Sequence, residues 1–414
     1  MCKQQMEPSK KIYGGAIMIS VGIDISKGKS TVCILRPYGE IVKNPFEINH
    51  SENDLQALSD LILSFKDEVK VIMEATGHYH YPILNYLISK GIFVAVVNAL
   101  LINKYCNISL RKGKTDKKDS IKIANYGLDL WNRINCFEPK QRIYEELRLL
   151  ARQYYQTVSI KVKCKIRLLE LLNQTMPNIE KLLSNNTKTP GKCKLNDFVK
   201  HYWHYDNIKK MSERKFATSY NCWCKKMGYQ QSESKAKEIY VFAQNGIPTI
   251  PTTNASTKML VTESVRMLEE IEHSTVNILS QMEELAKQLK EYETVLSMNG
   301  VGKKLSVLLI AEIGDISRFH SSKALIAYAG IDSPPHQSGV FTAKKRRISK
   351  RGSKYLRNIG YEVMTAININ KKESCPIFQF MKKKMDEGKA AGVAKIAGLN
   401  KFLHIYYARV KELG

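Results

Sequence analysis

Two aspartates, Asp116 and Asp119, stand three residues apart in the segment KTDKKDS at 114–120. At the start of a helix that spacing puts both side chains on one face. Arg111, Lys112, Lys114, Lys117 and Lys118 surround them, so the acids offer a cation site ringed by positive charge. That combination suits a metal ion meeting a phosphodiester. The plainer reading is an ordinary first helical turn, where acids favour the macrodipole and lysines are solvated. Two further acids change the balance. Asp24 lies at the end of the apolar run MISVGIDI (18–25), and Glu74 terminates VKVIME (69–74). An unsatisfied carboxylate in such an apolar strand is costly, so each needs a partner, a turn role or an ion.

The elements that must hold these acids follow from periodicity. Residues 18–25 and 30–37 read as two strands joined by a glycine-containing turn, with a third strand near Glu40 to Val42. Residues 52–65 carry Leu55, Leu58, Leu61 and Ile62 at helical spacing, with Ser51 or Asn53 as the cap. The buried-strand pattern VKVIMEATG (69–77) opens through Gly77 into a helix over 79–89. GIFVAVVNA (91–99) is another buried strand, and from Leu100 the chain leads to the helix of Asp116 and Asp119. A meander followed by alternating strands and helices predicts a mixed sheet with helices on its faces. Acids on the first strand, at the end of a later central strand and on a following helix have the layout of RNase H-like nucleases. There, such carboxylates converge on divalent metals. Hard oxygen ligands favour Mg2+ or Mn2+ over zinc. Two such ions about 4 Å apart hold the attacking and leaving oxygens of an in-line displacement.

Composition agrees with a polyanionic partner. The 414 residues hold 65 lysines and arginines against 39 acids, a net charge of +26, and such a field attracts nucleic acid with salt-dependent affinity. No apolar run reaches the roughly 18 residues of a membrane helix. Nine cysteines, an odd number without a secretory signal, read as reduced thiols in the cytoplasm. Cys193, His201, His204, Cys222 and Cys224 are grouped, yet their spacings match no standard zinc knuckle. Met18 stands immediately before the first strand, so residues 1–17 read as a dispensable leader.

From residue 138 the pattern becomes long-helical. Residues 141–185 and 258–293 carry apolar positions at helical spacing, the first interrupted by Pro177. The pair suits an antiparallel coiled coil, a pairing between subunits, or a plain hairpin in one chain. Between them, 186–257 mixes Phe198, Tyr202, Trp203, Tyr205, Tyr220 and Trp223 with lysines, either to stack on bases or to form a small helical core. The expected domains are therefore 18–137, 138–295 with the insert 186–257, and 296–414. In the last, Gly300 and Gly302 precede a helix through Leu308, as in a helix-hairpin-helix, whose turn amides hold a backbone phosphate. Ser338 follows in Pro-Pro-His-Gln-Ser-Gly. After it come eight basic residues and no acid: Lys344, Lys345, Arg346, Arg347, Lys350, Arg351, Lys354 and Arg357. A loop serine is ordinary turn chemistry by itself. Beside Gly339 it is sterically open, and the basic tract would stabilise the phosphorane formed if its oxygen attacks phosphorus. His336 is then either its base or a loop-packing residue.

Together VGIDISK (21–27), MEATGHY (73–79), KTDKKDS (114–120) and AGIDSPPHQSG with ISKRGSKYLR (329–357) resemble the bridge-RNA-guided DEDD/serine insertion-sequence transposases, to which the pilin-gene invertases are related. The resemblance implies an acidic quartet of Asp24, Glu74, Asp116 and Asp119 that binds magnesium in a Holliday-junction-resolvase-like domain. It implies Ser338 as the nucleophile of a transient covalent link to DNA. It also implies a dimer or tetramer in which the acids of one subunit meet the serine of another, on a guide RNA that pairs with donor and target DNA. Two other functions fit the residues less completely: a metal-dependent nuclease or junction resolvase in which water attacks, and a non-catalytic nucleic-acid-binding repressor.

Overall fold

A computed structural model of the chain describes residues 18–75, 77–106, 115–137, 142–183, 192–333, 337–338, 341–342 and 347–414. Two compact units divide it, Met1–Pro139 and Lys140–Gly414. In the first, β1 (Met18–Ile25), β2 (Lys29–Arg36) and β3 (Glu40–Asn49) form an antiparallel meander. α1 (Glu52–Leu63), β4 (Glu68–Glu74), α2 (Tyr81–Ser89), β5 (Val94–Val97), α3 (Ala99–Cys106) and α4 (Asp116–Asp129) follow. The sheet order is β3-β2-β1-β4-β5, with β4 parallel to both β1 and β5. This is the expected mixed sheet with helices on its faces.

The period-2 alternation sends the two sides of β1 to different helices. Ile19, Val21 and Ile23 enter one core with Leu55 and Leu58 of α1 and Ile83, Leu84 and Leu87 of α2. Ser20 and Gly22, on the other face, meet α4. Ser51 caps α1, its hydroxyl accepting from the Asp54 amide. The third strand runs seven residues beyond Val42, and it includes Pro45. A proline is tolerated there because β3 is an edge strand and pairs only with β2. The strand expected over 91–99 is cut to Val94–Val97. Asn98 turns the chain by accepting the Leu100 amide on its side-chain oxygen, and α3 begins, a helix that periodicity did not reveal.

In the second unit α5 (Arg142–Thr175) stops two residues before Pro177, and α6 (Ile179–Leu182) follows. α7 (Lys194–Tyr202), α8 (Tyr205–Lys209), α9 (Glu213–Met227) and α10 (Glu233–Asn245) form the insert, and α11 (Ala255–Ala286) returns along α5. The two long helices are antiparallel within one chain. Leu147 and Ala151 share a core with Met282 and Ala286, Lys161 pairs with Glu272 at 2.9 Å, and Leu168 and Leu172 share a second core with Val261 and Leu268. The insert aromatics Phe198, Tyr202, Tyr205, Phe216, Tyr220 and Trp223 are buried in that second core. They pack rather than wait for bases. The chain then runs through α12 (Tyr292–Leu296), α13 (Lys303–Ile313), α14 (Ser322–Ala329), the short strands β6 (Gln337–Ser338) and β7 (Phe341–Thr342), α15 (Lys354–Asn370), α16 (Pro376–Asp386) and α17 (Ala391–Lys411). These helices close over the first core, together with the root of the α5/α11 hairpin. Among the described residues no helix is long and apolar enough to cross a membrane.

α4 lies so close to β1 that only glycine fits at position 22. A Cβ there would stand 2.3 Å from both the Ala124 nitrogen and the Ser120 carbonyl oxygen. Gly22→Ala is therefore expected to cost about 1–3 kcal/mol through overpacking, seen as a lower urea midpoint for the N-terminal unit with its m value unchanged.

Candidate active site

Register places the first pair of acids. Ile23 pairs with Met73 across the parallel β1/β4 ladder, so Asp24 and Glu74 are the next residues in step, on strands about 4.8 Å apart. Ile23 and Met73 both face the core under α1 and α2. By alternation Asp24 and Glu74 therefore project to the opposite face, the one covered by α4. Both are half-buried. Thr31, which pairs with Asp24 from β2, is buried beside it. Gly77, at φ +52°, turns the chain away after β4 toward α2.

The second pair arrives on α4. A Cβ on Gly127 would meet the Ser20 hydroxyl and Ile72, whereas the backbone of Ala124 and Ser120 abuts Gly22. The helix thus runs antiparallel to β1, and its contacts move toward the C-terminal end of the strand as they approach its own start. Two strand residues from Gly22 to Asp24 span about 6.7 Å. Four helical residues from Ser120 back to Asp116 span about 6 Å. The first turn of α4 consequently reaches the sheet end where Asp24 and Glu74 stand. Thr115 caps the helix, its hydroxyl accepting from the Lys118 amide at 3.3 Å. Asp116 is exposed. Asp119 is half-buried, with a carboxylate oxygen 2.8 Å from the Lys122 ammonium.

All four side chains are carboxylates, a donor set that fits a hard divalent cation such as Mg2+ or Mn2+. Among the described residues no three His, Cys, Asp or Glu side chains stand close enough to hold one ion. That statement covers the quartet and the Cys193, His201, His204, Cys222 and Cys224 grouping alike. Arg111, Lys112 and Lys114 lie outside the described residues.

In the second unit Ser338 ends β6, which pairs with β7 through Ser338 and Phe341. The segments on either side of this hairpin, 328–333 from the last turn of α14 onward and 347–353 leading into α15, pair with each other as a stem. Ser353 donates its amide to the Tyr328 carbonyl at 2.7 Å, Lys350 to Gly330 at 2.9 Å and Ser349 to Asp332 at 2.9 Å. Arg357 closes the base of this stem, its guanidinium donating to the carbonyls of Ala329 and Gly352. Arg347, Lys350, Arg351 and Lys354 are exposed along it. His336, Lys344, Lys345 and Arg346 lie outside the described residues. At the glycine turn, Gly300 has φ +77° and packs on Ile367, while the space around Gly302 is open. Lys303 and Lys304, the first residues of α13, pair with Glu283 at 3.0 Å and Glu362 at 2.6 Å. The Lys303 ammonium holds the Glu283 carboxyl below its ordinary range.

With this arrangement known, comparison with characterised sequences is informative. A transposase model of the DEDD IS110 type matches residues 21–177, and a model for the transposase IS116/IS110/IS902 family matches residues 292–375. The chain belongs to the IS110 transposase family. The two matches span the acids and the serine respectively, so this IS110-family chain contains both regions that the motifs singled out. It is 25% identical over 403 residues to the pilin gene-inverting protein of Moraxella bovis, covering 95% of each chain, and equally similar to that of Moraxella lacunata. It is 22% identical over 327 residues to the insertion element IS110 uncharacterized 43.6 kDa protein of Streptomyces coelicolor, covering 78% of this chain and 77% of that one. Among solved structures, T. thermophilus RuvC in complex with Holliday junction substrate matches 29% of this chain and 99% of its own, with 9% identity and a TM-score of 0.23.

Sequence reasoning did not single out Thr115 or the small residues Ser120, Ala124 and Gly127 that let α4 approach. Their spacing of four and three along one helix was the available signal, and it complements Gly22. Loss of the cap should loosen the turn that carries both aspartates. Thr115→Ala is expected to cost about 1 kcal/mol of stability and to speed hydrogen exchange at the Lys118 amide before any other amide of α4.

Proposed function

We propose that this transposase cuts and rejoins DNA with Asp24, Glu74, Asp116 and Asp119 as a divalent-metal site and Ser338 as the nucleophile. The observation that supports the reading is the β1/β4 register, which puts Asp24 and Glu74 next in step on neighbouring strands, on the sheet face covered by α4, the helix whose first turn bears Asp116 and Asp119. A cation bound there would supply Lewis-acid polarisation of the scissile phosphate and neutralise charge on its oxygens. Asp24, Glu74, Asp116 and Asp119 are the residues that would hold that cation once their side chains close on it, and the exposed Asp116 would leave a side open for DNA. Ser338 forms a bond from its hydroxyl oxygen to phosphorus while the bond from phosphorus to one sugar oxygen breaks. The serine proton is taken by a carboxylate, and the released sugar oxygen is protonated to a hydroxyl. A serine hydroxyl is a weak nucleophile without such a base. Rejoining reverses these steps with a new sugar hydroxyl as the attacker, so the phosphodiester energy is conserved in the serine ester.

The basic residues Arg347, Lys350, Arg351 and Lys354 grip the backbone on either side of the reacting phosphate. The open amides before α13, at Gly302, add a sequence-independent phosphate contact of helix-hairpin-helix type. A net charge of +26 exceeds what one duplex contact requires and suits a second polyanion. By resemblance this is a guide RNA to which sequence choice is delegated, in a homo-oligomer assembled on it.

The test uses full-length protein with its element-end RNA and labelled donor DNA, in Mg2+ and in EDTA, followed by denaturing gels and peptide mapping. A Mg2+-dependent adduct at Ser338, absent in Ser338→Ala, is expected. Asp116→Asn should bind DNA normally yet lower strand cleavage by about 100-fold or more. Cleavage without an adduct, equal in wild type and Ser338→Ala, would instead identify a nuclease in which water attacks. Metal-independent binding with no cleavage at all would identify a repressor.

A further inference from the structure

We infer that Glu312 is a positioning residue for the reaction, holding the stem of the Ser338 hairpin in place through a buried carboxylate. The inference rests on the serine reading above. α13 is buried from Leu305 to Ile313, and apart from Ser306 its other buried side chains are apolar. Glu312 is 1% exposed. One of its carboxylate oxygens accepts from the Ser353 hydroxyl at 2.6 Å, and the other lies 2.8 Å from the Arg152 guanidinium. Its backbone carbonyl accepts from Arg148 at 2.8 Å and from the Tyr328 hydroxyl at 3.2 Å. The same Arg148 nitrogen also reaches the Tyr328 hydroxyl at 2.8 Å. Arg152 in turn stacks on Tyr355, 3.8 Å from the ring centre.

These partners are the two ends of the stem and the long helix behind it. Tyr328 lies in the last turn of α14, from which the outgoing segment leaves; Ser353 ends the returning one and caps α15 by accepting the Leu356 amide, and Arg148 and Arg152 belong to α5. The segments touch at Gly330 and Gly352, where a Cβ on Gly352 would lie 2.1 Å from the Tyr328 carbonyl oxygen. A small shift in either segment would therefore break the amide pairing above it. A buried ion pair is a poor way to gain stability, because an apolar replacement of similar volume often serves as well or better. It is a good way to fix direction, since the two oxygens meet separate partners, Ser353 at the start of α15 and Arg152 on α5, in one orientation. The carboxylate thus holds the two segments that lead to and from Ser338, and a displacement of about 1 Å at a reacting group can cost about 100-fold in rate.

The test compares full-length wild type, Glu312→Gln and the double variant Glu312→Gln/Arg152→Met by hydrogen exchange, DNA affinity and rate of adduct formation. In Glu312→Gln, exchange at the Ser349, Lys350 and Ser353 amides should rise by about 10-fold or more, while that of Leu403 in α17 is unchanged. Adduct formation should fall by about 100-fold with DNA affinity held within about 2-fold. The double variant, which leaves no unpaired guanidinium, should recover part of the protection. If Glu312→Gln does not fold, Ser353→Ala removes one of the two partners and should give the same localised exchange at smaller amplitude. Uniform acceleration of exchange through the second unit, or a normal adduct rate in the folded variant, would overturn the inference. A wild type that cleaves without any adduct would sink the serine reading, and the localised exchange would still decide whether Glu312 holds the stem.

Discussion

The contact between α4 and β1 is the constraint from which the placement of Asp116 and Asp119 follows. With backbone against backbone at Gly22, the helix has no freedom to slide or roll. A shift of one residue along α4 would rotate its first turn by about 100° and carry Asp116 and Asp119 away from the sheet end. The strands need no comparable device, because the β1/β4 ladder already puts Asp24 beside Glu74. Two different kinds of order, hydrogen-bonded register and close steric fit, therefore place the two pairs of acids.

The second unit solves a related problem with polar groups. The hairpin bearing Ser338 has only two short strands, too little pairing to define its own direction. The two segments that flank it exchange amide hydrogen bonds, and both meet Glu312, through Tyr328 and Ser353. Glycine appears again where the chains come closest, at Gly330, with φ +66°, and at Gly352. Small residues set distance in both units. In the second a buried carboxylate adds side-chain hydrogen bonds at the close approach.

Much of this was legible before any coordinates. The strands of β1, β2 and β4, the cap at Ser51, the helix start at Asp116 and the break at Pro177 are local signals, and each stands where the sequence puts it. The mixed sheet follows from their order. What stayed hidden depends on partners distant in the chain. Arg148 and Glu312 are 164 residues apart, and nothing in LSVLLIAEIG says whether its single acid is capped by solvent or by a guanidinium. α3 was missed because its Leu100 and Leu101 are exposed while Ile102 is buried, so its run of apolar residues does not mark out the buried face. The insert aromatics were ambiguous for the opposite reason: rings among lysines look alike whether they pack on each other or await a base. Only the burial of Phe198, Tyr205 and Tyr220 separates the two.

The antiparallel pair α5 and α11 has an additional consequence. Its root is embedded in one core and its tip in another, and Lys161 and Glu272 bridge the stretch between. Because the cores share no buried residue, the pair is a spacer whose length is a separate variable from what it connects. Adding seven residues to each arm would move the tip outward by about 10 Å while turning it by only about 20°. Adding four would move it about 6 Å and turn it about 40°. Equal insertions in both arms would therefore change where the tip core stands while leaving the packing of either core untouched.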